Sequence, residues 1–322
     1  MSEPATRLAI GVDVGGTAVK AGLVDELGRV LQTDCVPTEA DRGVDHVLAR
    51  LADVVGKLQV AAQSMTRPVL GVGLGVPGTL SRARGIVISP PNLPGWKNVP
   101  IVKRLKAATG LTIWLDNDAN NAALGEALCG AGRGVQDMVM LTLGTGVGGG
   151  IIAGGRLWRG AQENAGELGH MIVQAGGRRC GCGQLGCLEA LASATATVTT
   201  VSEFLAQGRD STLQQILKSG RDLQCEDVQK AADAGDAVGR EAWLQTCRYL
   251  AIACINIHHI LNPQRIVLSG GMSSAGQSLL QPVTQFIAEF ESKMLGDPPE
   301  IRLAELGNDA GFIGSALSVF QP

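Results

Sequence analysis

Leu8-Ala9-Ile10-Gly11-Val12-Asp13-Val14-Gly15-Gly16-Thr17-Ala18-Val19-Lys20-Ala21-Gly22-Leu23-Val24 decides how the rest of the chain reads. The apolar run over 8–14 predicts a strand, Gly15-Gly16 a turn, and 17–24 a second strand. Asp25-Glu26-Leu27-Gly28 turns again into a third strand at 29–31, so the chain begins with a β-meander. The pattern returns further on. A strand over 138–143 meets the glycine-rich stretch Gly144-Thr145-Gly146-Val147-Gly148-Gly149-Gly150, and a strand over 151–157 follows, bent at Gly154-Gly155. Each strand–glycine turn–strand unit opens one half of the chain, and two such hairpins are suited to face each other across a cleft.

Between and after these hairpins, apolar periodicity assigns further elements. A helix over 44–62 carries Val47, Leu48, Leu51, Val54, Val55 and Leu58 on one face. A buried strand covers 69–76, a helix 102–109 ends at Gly110, a short strand covers 112–115, and a helix covers 119–128. A long apolar helix over 242–261 stops before Pro263. A strand over 265–269 ends in Gly270-Gly271, and an amphipathic helix (281–294), a strand (300–304) and a helix (310–319) complete the set. This is an α/β protein. Its 322 residues suggest two domains, and the absence of a linker suggests that they are tightly coupled.

Composition narrows the partners. Apolar residues make up 45% and charged residues 18%, which suits a sizeable core. The net charge is −3 with no basic tract, which argues against nucleic acid. No apolar run approaches the roughly 18 residues of a membrane span. The opening Met1-Ser2-Glu3-Pro4-Ala5-Thr6-Arg7 lacks a signal-peptide pattern, so a cytoplasmic location is expected.

A polyphosphate needs several backbone N–H groups aimed at one place, and glycine permits that close approach. Asp13, Gly15, Gly16 and Thr17 fit the need: Thr17 adds a hydroxyl, and Asp13 is a carboxylate for Mg²⁺, directly or through water. Lys20 lies either near the phosphates or in solvent. Gly144, Thr145 and Gly146 supply a second set of donors. One glycine turn alone is usually an ordinary hairpin; two with the same glycine and threonine pattern point to a ligand. Gly73–Gly78 and Gly144–Gly149 both match G-x-G-x-x-G, but neither opens a helix, which excludes a dinucleotide fingerprint. No G-x-x-x-x-G-K-[ST] occurs, so this is no P-loop enzyme.

Asp116, Asn117 and Asp118 stand at a predicted strand end, where open α/β sheets bind ligands. A carboxylate there suits the proton acceptor for an attacking hydroxyl in phosphoryl transfer. Asp118 also fits the simpler role of capping the helix that starts at Ala119. Eight cysteines are present; Cys35, Cys129, Cys225, Cys247 and Cys254 are scattered and read as small apolar residues. Cys180, Cys182 and Cys187 join His170 in His-x9-Cys-x-Cys-x4-Cys, a closed Cys₃His set for structural zinc. Glu167 and Glu189 flank this set, either as a solvated rim or as partners for sugar hydroxyls, and His170 can offer its second nitrogen to a ligand.

Taken together, Asp13-Val-Gly-Gly-Thr17, Gly75-Val-Pro-Gly78, Asn92-Leu-Pro-Gly-Trp96, Asp116-Asn-Asp-Ala-Asn120, Leu143-Gly-Thr-Gly-Val-Gly-Gly-Gly150, Glu167-Leu-Gly-His170 and Cys180-Gly-Cys-Gly-Gln-Leu-Gly-Cys187 resemble the ROK family of repressors and kinases, most of all its ATP-dependent bacterial glucokinases. The resemblance spans essentially the whole chain. It implies a two-domain, actin-like (ribonuclease-H-like) sugar kinase fold with an inserted zinc motif. The smaller domain would be 1–117 plus about 305–322, and the larger 118–304. It implies Asp118 as general base and Asn117, Glu167, His170 and Glu189 on the sugar, with Gly78 and Asn92 nearby. Gly15, Gly16, Thr17, Gly144, Thr145 and Gly146 would line the phosphates of Mg·ATP, with Gly270 and Gly271 near the adenosine. A homodimer or homotetramer is implied. Repressors of the family carry a helix-turn-helix ahead of the first hairpin, for which the residues before Leu8 leave no room. Glucose is the expected substrate; N-acetylmannosamine, N-acetylglucosamine, mannose, allose and fructose are alternatives with the same chemistry, and polyphosphate is an alternative donor.

Overall fold

The first hairpin is β1 (Leu8–Val14) and β2 (Ala18–Asp25), continued by β3 (Val30–Pro37). The computed structural model describes residues 6–90, 92–290 and 293–321. After β3 come α1 (Val44–Ser64), β4 (Val69–Val76), the small pair β5 (Thr79–Ser81) and β6 (Ile86–Ser89), α2 (Ile101–Thr109), β7 (Ile113–Asn117) and α3 (Asp118–Cys129). The first sheet has the order β3-β2-β1-β4-β7. Its meander pairs are antiparallel, and β1–β4 and β4–β7 are parallel.

Period-two alternation in β1 sorts its side chains between two cores. Leu8, Ile10 and Val12 join Val47, Leu51, Val54 and Leu58 of α1, the apolar face expected from the sequence. Ala9 points the other way, into a cluster with Phe312, Ile313 and Leu317 of the last helix, α10 (Ala310–Ser318). Glycine sets how near that helix lies. A Cβ on Gly11 would stand 1.8 Å from the Phe312 carbonyl oxygen, and one on Gly73 1.6 Å from that of Ser315. The helix backbone therefore rests directly on the sheet backbone, which no side chain would permit.

The second sheet, β10-β9-β8-β11-β12, is built from β8 (Met138–Leu143), β9 (Val147–Ala153), β10 (Arg156–Leu157), β11 (Arg265–Ser269) and β12 (Glu300–Leu303). Here β9–β10 is antiparallel, while β8–β11 and β11–β12 are parallel. Strand for strand this repeats the first sheet, so the echo heard in the sequence is a duplicated topology. Helices α4 (Leu188–Ala192), α5 (Ala194–Ala206), α6 (Gln214–Lys218), α7 (Cys225–Asp233), α8 (Ala237–Leu261) and α9 (Gln277–Phe290) complete the chain. Val201, Leu213, Val228 and Val238 form a core of their own among them.

Contacts divide the chain into two units, Met1–Gly134 with Gly150–Gly166 and Glu305–Pro322, and Val135–Gly149 with Glu167–Ala304. Residues 118–134 group with the first because α3 packs on α10: a Cβ on Gly314 would stand 1.7 Å from the Asn121 carbonyl oxygen. The second glycine turn is shorter than the sequence suggests. Only 144–146 turn, and β9 starts at Val147. Gly150 serves packing, since a Cβ there would lie 2.5 Å from that of Ala123. The third strand is longer than expected because β3 is an exposed edge whose Gln32, Thr33 and Asp34 hide the alternation. The helix expected over 281–294 begins earlier, at Gln277, and its positions 291–292 lie outside the described residues. No described helix is long and apolar enough to cross a membrane.

Candidate active site

In the first unit, the turn between β1 and β2 is closed by the Gly15 N–H donating to the Ala18 carbonyl at 2.9 Å. The Gly16 and Thr17 amides donate to no group among the described residues. Buried Thr38, just past β3, grips the turn from behind. Its Oγ1 donates to the Gly15 carbonyl at 2.6 Å and its N–H to the Thr17 carbonyl at 2.8 Å. Asn92 packs on the same turn, where a Cβ on Gly16 would stand 2.9 Å from that of Asn92. Asp13, the last residue but one of β1, pairs with Lys20 of β2. Burial, and then the negative charge of Asp118, push the Asp13 carboxyl up to about 7 against the pull of Lys20. An acid so placed gains by meeting a cation. Lys20 Nζ donates to the Asn308 carbonyl at 3.4 Å.

The end of β7 separates three neighbours that the sequence left together. Asp116 is buried, and its Oδ2 takes Arg159 Nε at 2.7 Å with Arg82 Nε at 3.5 Å. Its Oδ1 accepts the Asn117 N–H at 2.8 Å and Asn120 Nδ2 at 3.1 Å. Asp116 is thus neutralised and fixes the chain around it. Asn117, rather than Asp118, is the N-cap of α3, its Oδ1 accepting from the Ala119 and Asn120 amides at 2.9 and 3.2 Å. The strand ends at Asn117, so the cap position falls one residue earlier than expected. The Asn117 Nδ2 is left 3.5 Å from the carbonyl of Gly78, whose φ of 78° turns the chain after β4. Asp118 opens the first turn of α3, where aligned backbone amides favour a carboxylate. Its Oδ1 accepts the Ala119 N–H at 2.9 Å.

In the second unit, the Gly144 N–H donates to the Gly146 carbonyl at 3.0 Å. The Thr145 and Gly146 amides donate to no group among the described residues. The N-terminus of α5 grips this turn. The Ala194 N–H donates to the Gly144 carbonyl and Thr195 Oγ1 to the Thr145 carbonyl, both at 2.8 Å. Glu189 of α4 accepts the Val147 N–H on Oε2 at 3.0 Å, and a Cβ on Gly146 would lie 2.3 Å from that oxygen. Gly270 sits beside the turn at φ 85°, with no space for a Cβ beyond 2.4 Å from the Leu143 carbonyl oxygen, and Gly271 follows it into a short 3-10 helix.

His170, Cys180, Cys182 and Cys187 come together with one ligand atom each, all within 4.8 Å of one another. Cys182 and Cys187 Sγ are 3.7 Å apart, as are Cys180 Sγ and His170 Nδ1. A tetrahedron with metal–sulfur bonds of about 2.3 Å has edges of about 3.8 Å, so the donor set fits zinc in kind and in size. The thiols are uneven on their own. Burial pushes Cys180 up to about 12, while the Gln184 N–H holds Cys182 down to about 7. The His170 Nε2 faces Glu167 at 3.9 Å, and Cys180 Sγ lies 3.6 Å from the second Glu189 oxygen. The cluster therefore fixes Glu189, which in turn touches the glycine turn.

Sequence reasoning missed Thr38, Thr195, Arg82 and Arg159. No local pattern marks them, since each acts on a backbone or carboxylate distant in sequence. The ROK family profile matches residues 9–321. A glucokinase of Halalkalibacterium halodurans is 38% identical, covering 98% of this chain and 96% of that protein. Among solved structures, a ROK hexokinase from Thermus thermophilus is 33% identical with a TM-score of 0.81, covering 97% of this chain and 98% of that one. A ROK family glucokinase from Streptomyces griseus, in complex with glucose and AMPPNP, is 32% identical with a TM-score of 0.80, covering 98% and 100%. With its mixed α/β fold and paired glycine turns, this chain belongs to the ROK family.

Proposed function

We propose that this chain is an ATP-dependent sugar kinase that transfers the γ-phosphoryl group of ATP to a hexose hydroxyl, with glucose the preferred acceptor. The observation that carries the reading is the pairing in the first unit of two carboxylates, Asp13 and Asp118, beside a turn whose Gly16 and Thr17 amides have no acceptor among the described residues. That is the arrangement phosphoryl transfer needs: donors for phosphate oxygens, an acid for a cation, and a separate base. The sugar oxygen attacks the γ-phosphorus, its proton passes to an Asp118 oxygen, and ADP leaves. Magnesium, when bound with the nucleotide, neutralises phosphate charge; Asp13 is the residue to hold it.

Asn117 offers its Nδ2 to the sugar, because its oxygen is occupied in capping α3. Gly78 and Asn92 border the same region. Glu167, Glu189 and the Nε2 of His170 supply the remaining sugar partners. Gly144, Thr145 and Gly146 add phosphate donors, and Gly270-Gly271 borders the adenosine. His170, Cys180, Cys182 and Cys187 would hold a structural zinc ion, which would keep Glu189 and His170 in place. Glucose is preferred on the strength of the relatives' names and the Asn92-Leu-Pro-Gly-Trp96 motif.

Asp118→Asn tests the role of the base. It is expected to lower kcat by about 10²–10⁴-fold with glucose binding, measured by calorimetry, retained. A kcat near that of the unmodified enzyme removes Asp118 from the mechanism.

A further inference from the structure

We propose that Thr38 and Thr195 are positioning residues for phosphate binding, each holding the back of one glycine turn so that amides with no acceptor among the described residues face the ligand. The inference rests on the kinase reading above and deepens it. Its basis is peptide geometry. In a trans peptide the carbonyl of one residue and the N–H of the next lie in one plane and point in opposite directions. Fixing a carbonyl therefore aims the following amide.

Three planes are fixed in this way. Thr38 Oγ1 holds the Gly15 carbonyl at 2.6 Å, which directs the Gly16 N–H the opposite way. The Ala194 N–H holds the Gly144 carbonyl at 2.8 Å, which directs the Thr145 N–H. Thr195 Oγ1 holds the Thr145 carbonyl at 2.8 Å, which directs the Gly146 N–H. The three amides so aimed are among those that find no acceptor in the described residues. Two segments unrelated in sequence, the end of β3 and the start of α5, thus apply the same device to the two halves of a duplicated topology. A glycine turn is free to flip its peptide planes. A threonine at its back keeps the donors preorganised before phosphate arrives.

The two clamps differ in environment. Thr38 is fully buried at 0% exposure, whereas Thr195 is exposed and its hydroxyl competes with water. Loss of the Thr38 hydroxyl therefore carries the larger effect.

The experiment uses Thr38→Val, which keeps shape and the backbone N–H but removes the hydroxyl, with Thr38→Ser as rescue and Thr195→Val as the exposed counterpart. KM for Mg·ATP, KM for glucose and equilibrium binding of Mg·ADP are measured on the whole chain. Thr38→Val is expected to weaken both nucleotide readouts by about three- to tenfold and Thr195→Val by about two- to threefold, with KM for glucose held within about twofold. Thr38→Ser is expected to restore the nucleotide readouts. If the Thr38→Val chain does not fold, Thr195→Val decides alone. Nucleotide and sugar constants rising together, unchanged nucleotide constants, or a serine that fails to rescue overturns the clamp while leaving the kinase reading intact. An unmodified chain that neither binds Mg·ADP nor uses Mg·ATP overturns both.

Discussion

The two glycine hairpins share a topology and a backbone device, but they differ in charge. The first carries Asp13 on its leading strand and Lys20 on its return strand, with Asp118 close enough to raise the Asp13 pKa. The second has no ionisable residue in its turn; a carboxylate reaches it only from outside, when Glu189 accepts the Val147 N–H. Beside it lies the cluster of His170, Cys180, Cys182 and Cys187, which has the donor types of a metal site. On the proposed reading one hairpin, used twice, divides labour: the first copy supplies the charges for a cation and a proton, and the second is a neutral cradle with the His170 and cysteine cluster beside it.

The sharpest way to break this comparison is to remove the charge of the first hairpin. Asp13→Asn is expected to lower kcat/KM for Mg·ATP by about 10²-fold, because the cation loses its carboxylate. Steady-state kinetics at varied magnesium checks this, and an unchanged magnesium dependence places the cation elsewhere. A smaller effect tests the second hairpin. Elemental analysis is expected to find about one zinc ion per chain. Cys187→Ser, which breaks the set, is expected to raise KM for glucose by about tenfold by loosening Glu189 and His170. Full activity in a zinc-free preparation refutes the scaffold role.

The smallest effect concerns stability. The Asp13 pKa is raised from 3.8 to about 7 on folding. The folded chain therefore binds this proton more tightly than the unfolded one. Its contribution to stability is complete below about pH 4 and is lost as pH climbs towards 7. In magnesium-free buffer, Asp13→Asn is then expected to exceed the unmodified protein in Tm by a few degrees at pH 8, about the size of a 1–2 kcal/mol gain, and by less at pH 5. A pH-independent difference contradicts the buried-charge account.

Much of this was legible in the sequence because strong apolar runs met glycine at their ends. β1, β4, β8 and β11 lie where 8–14, 69–76, 138–143 and 265–269 were expected. The helices between 188 and 233 gave no comparable signal. α4 and α6 are single short turns, and α5 reads Ala-Thr-Ala-Thr-Val-Thr-Thr-Val, whose β-branched residues disfavour a helix until packing and the Ser193 cap decide. The gathering of His170 with Cys180, Cys182 and Cys187 was legible from spacing alone. The ion pairing of Asp116 was not, because its partners Arg159 and Arg82 lie more than thirty residues away on either side. The threonine clamps were hidden for the same reason.

The most direct test is an enzyme-linked ADP-release assay on the purified chain with Mg·ATP, run across glucose, mannose, fructose, allose, N-acetylglucosamine and N-acetylmannosamine. The account predicts rapid turnover with glucose, well above that with every other sugar. Preference for an N-acetylhexosamine contradicts the substrate assignment, and no turnover on any of the sugars contradicts the kinase itself.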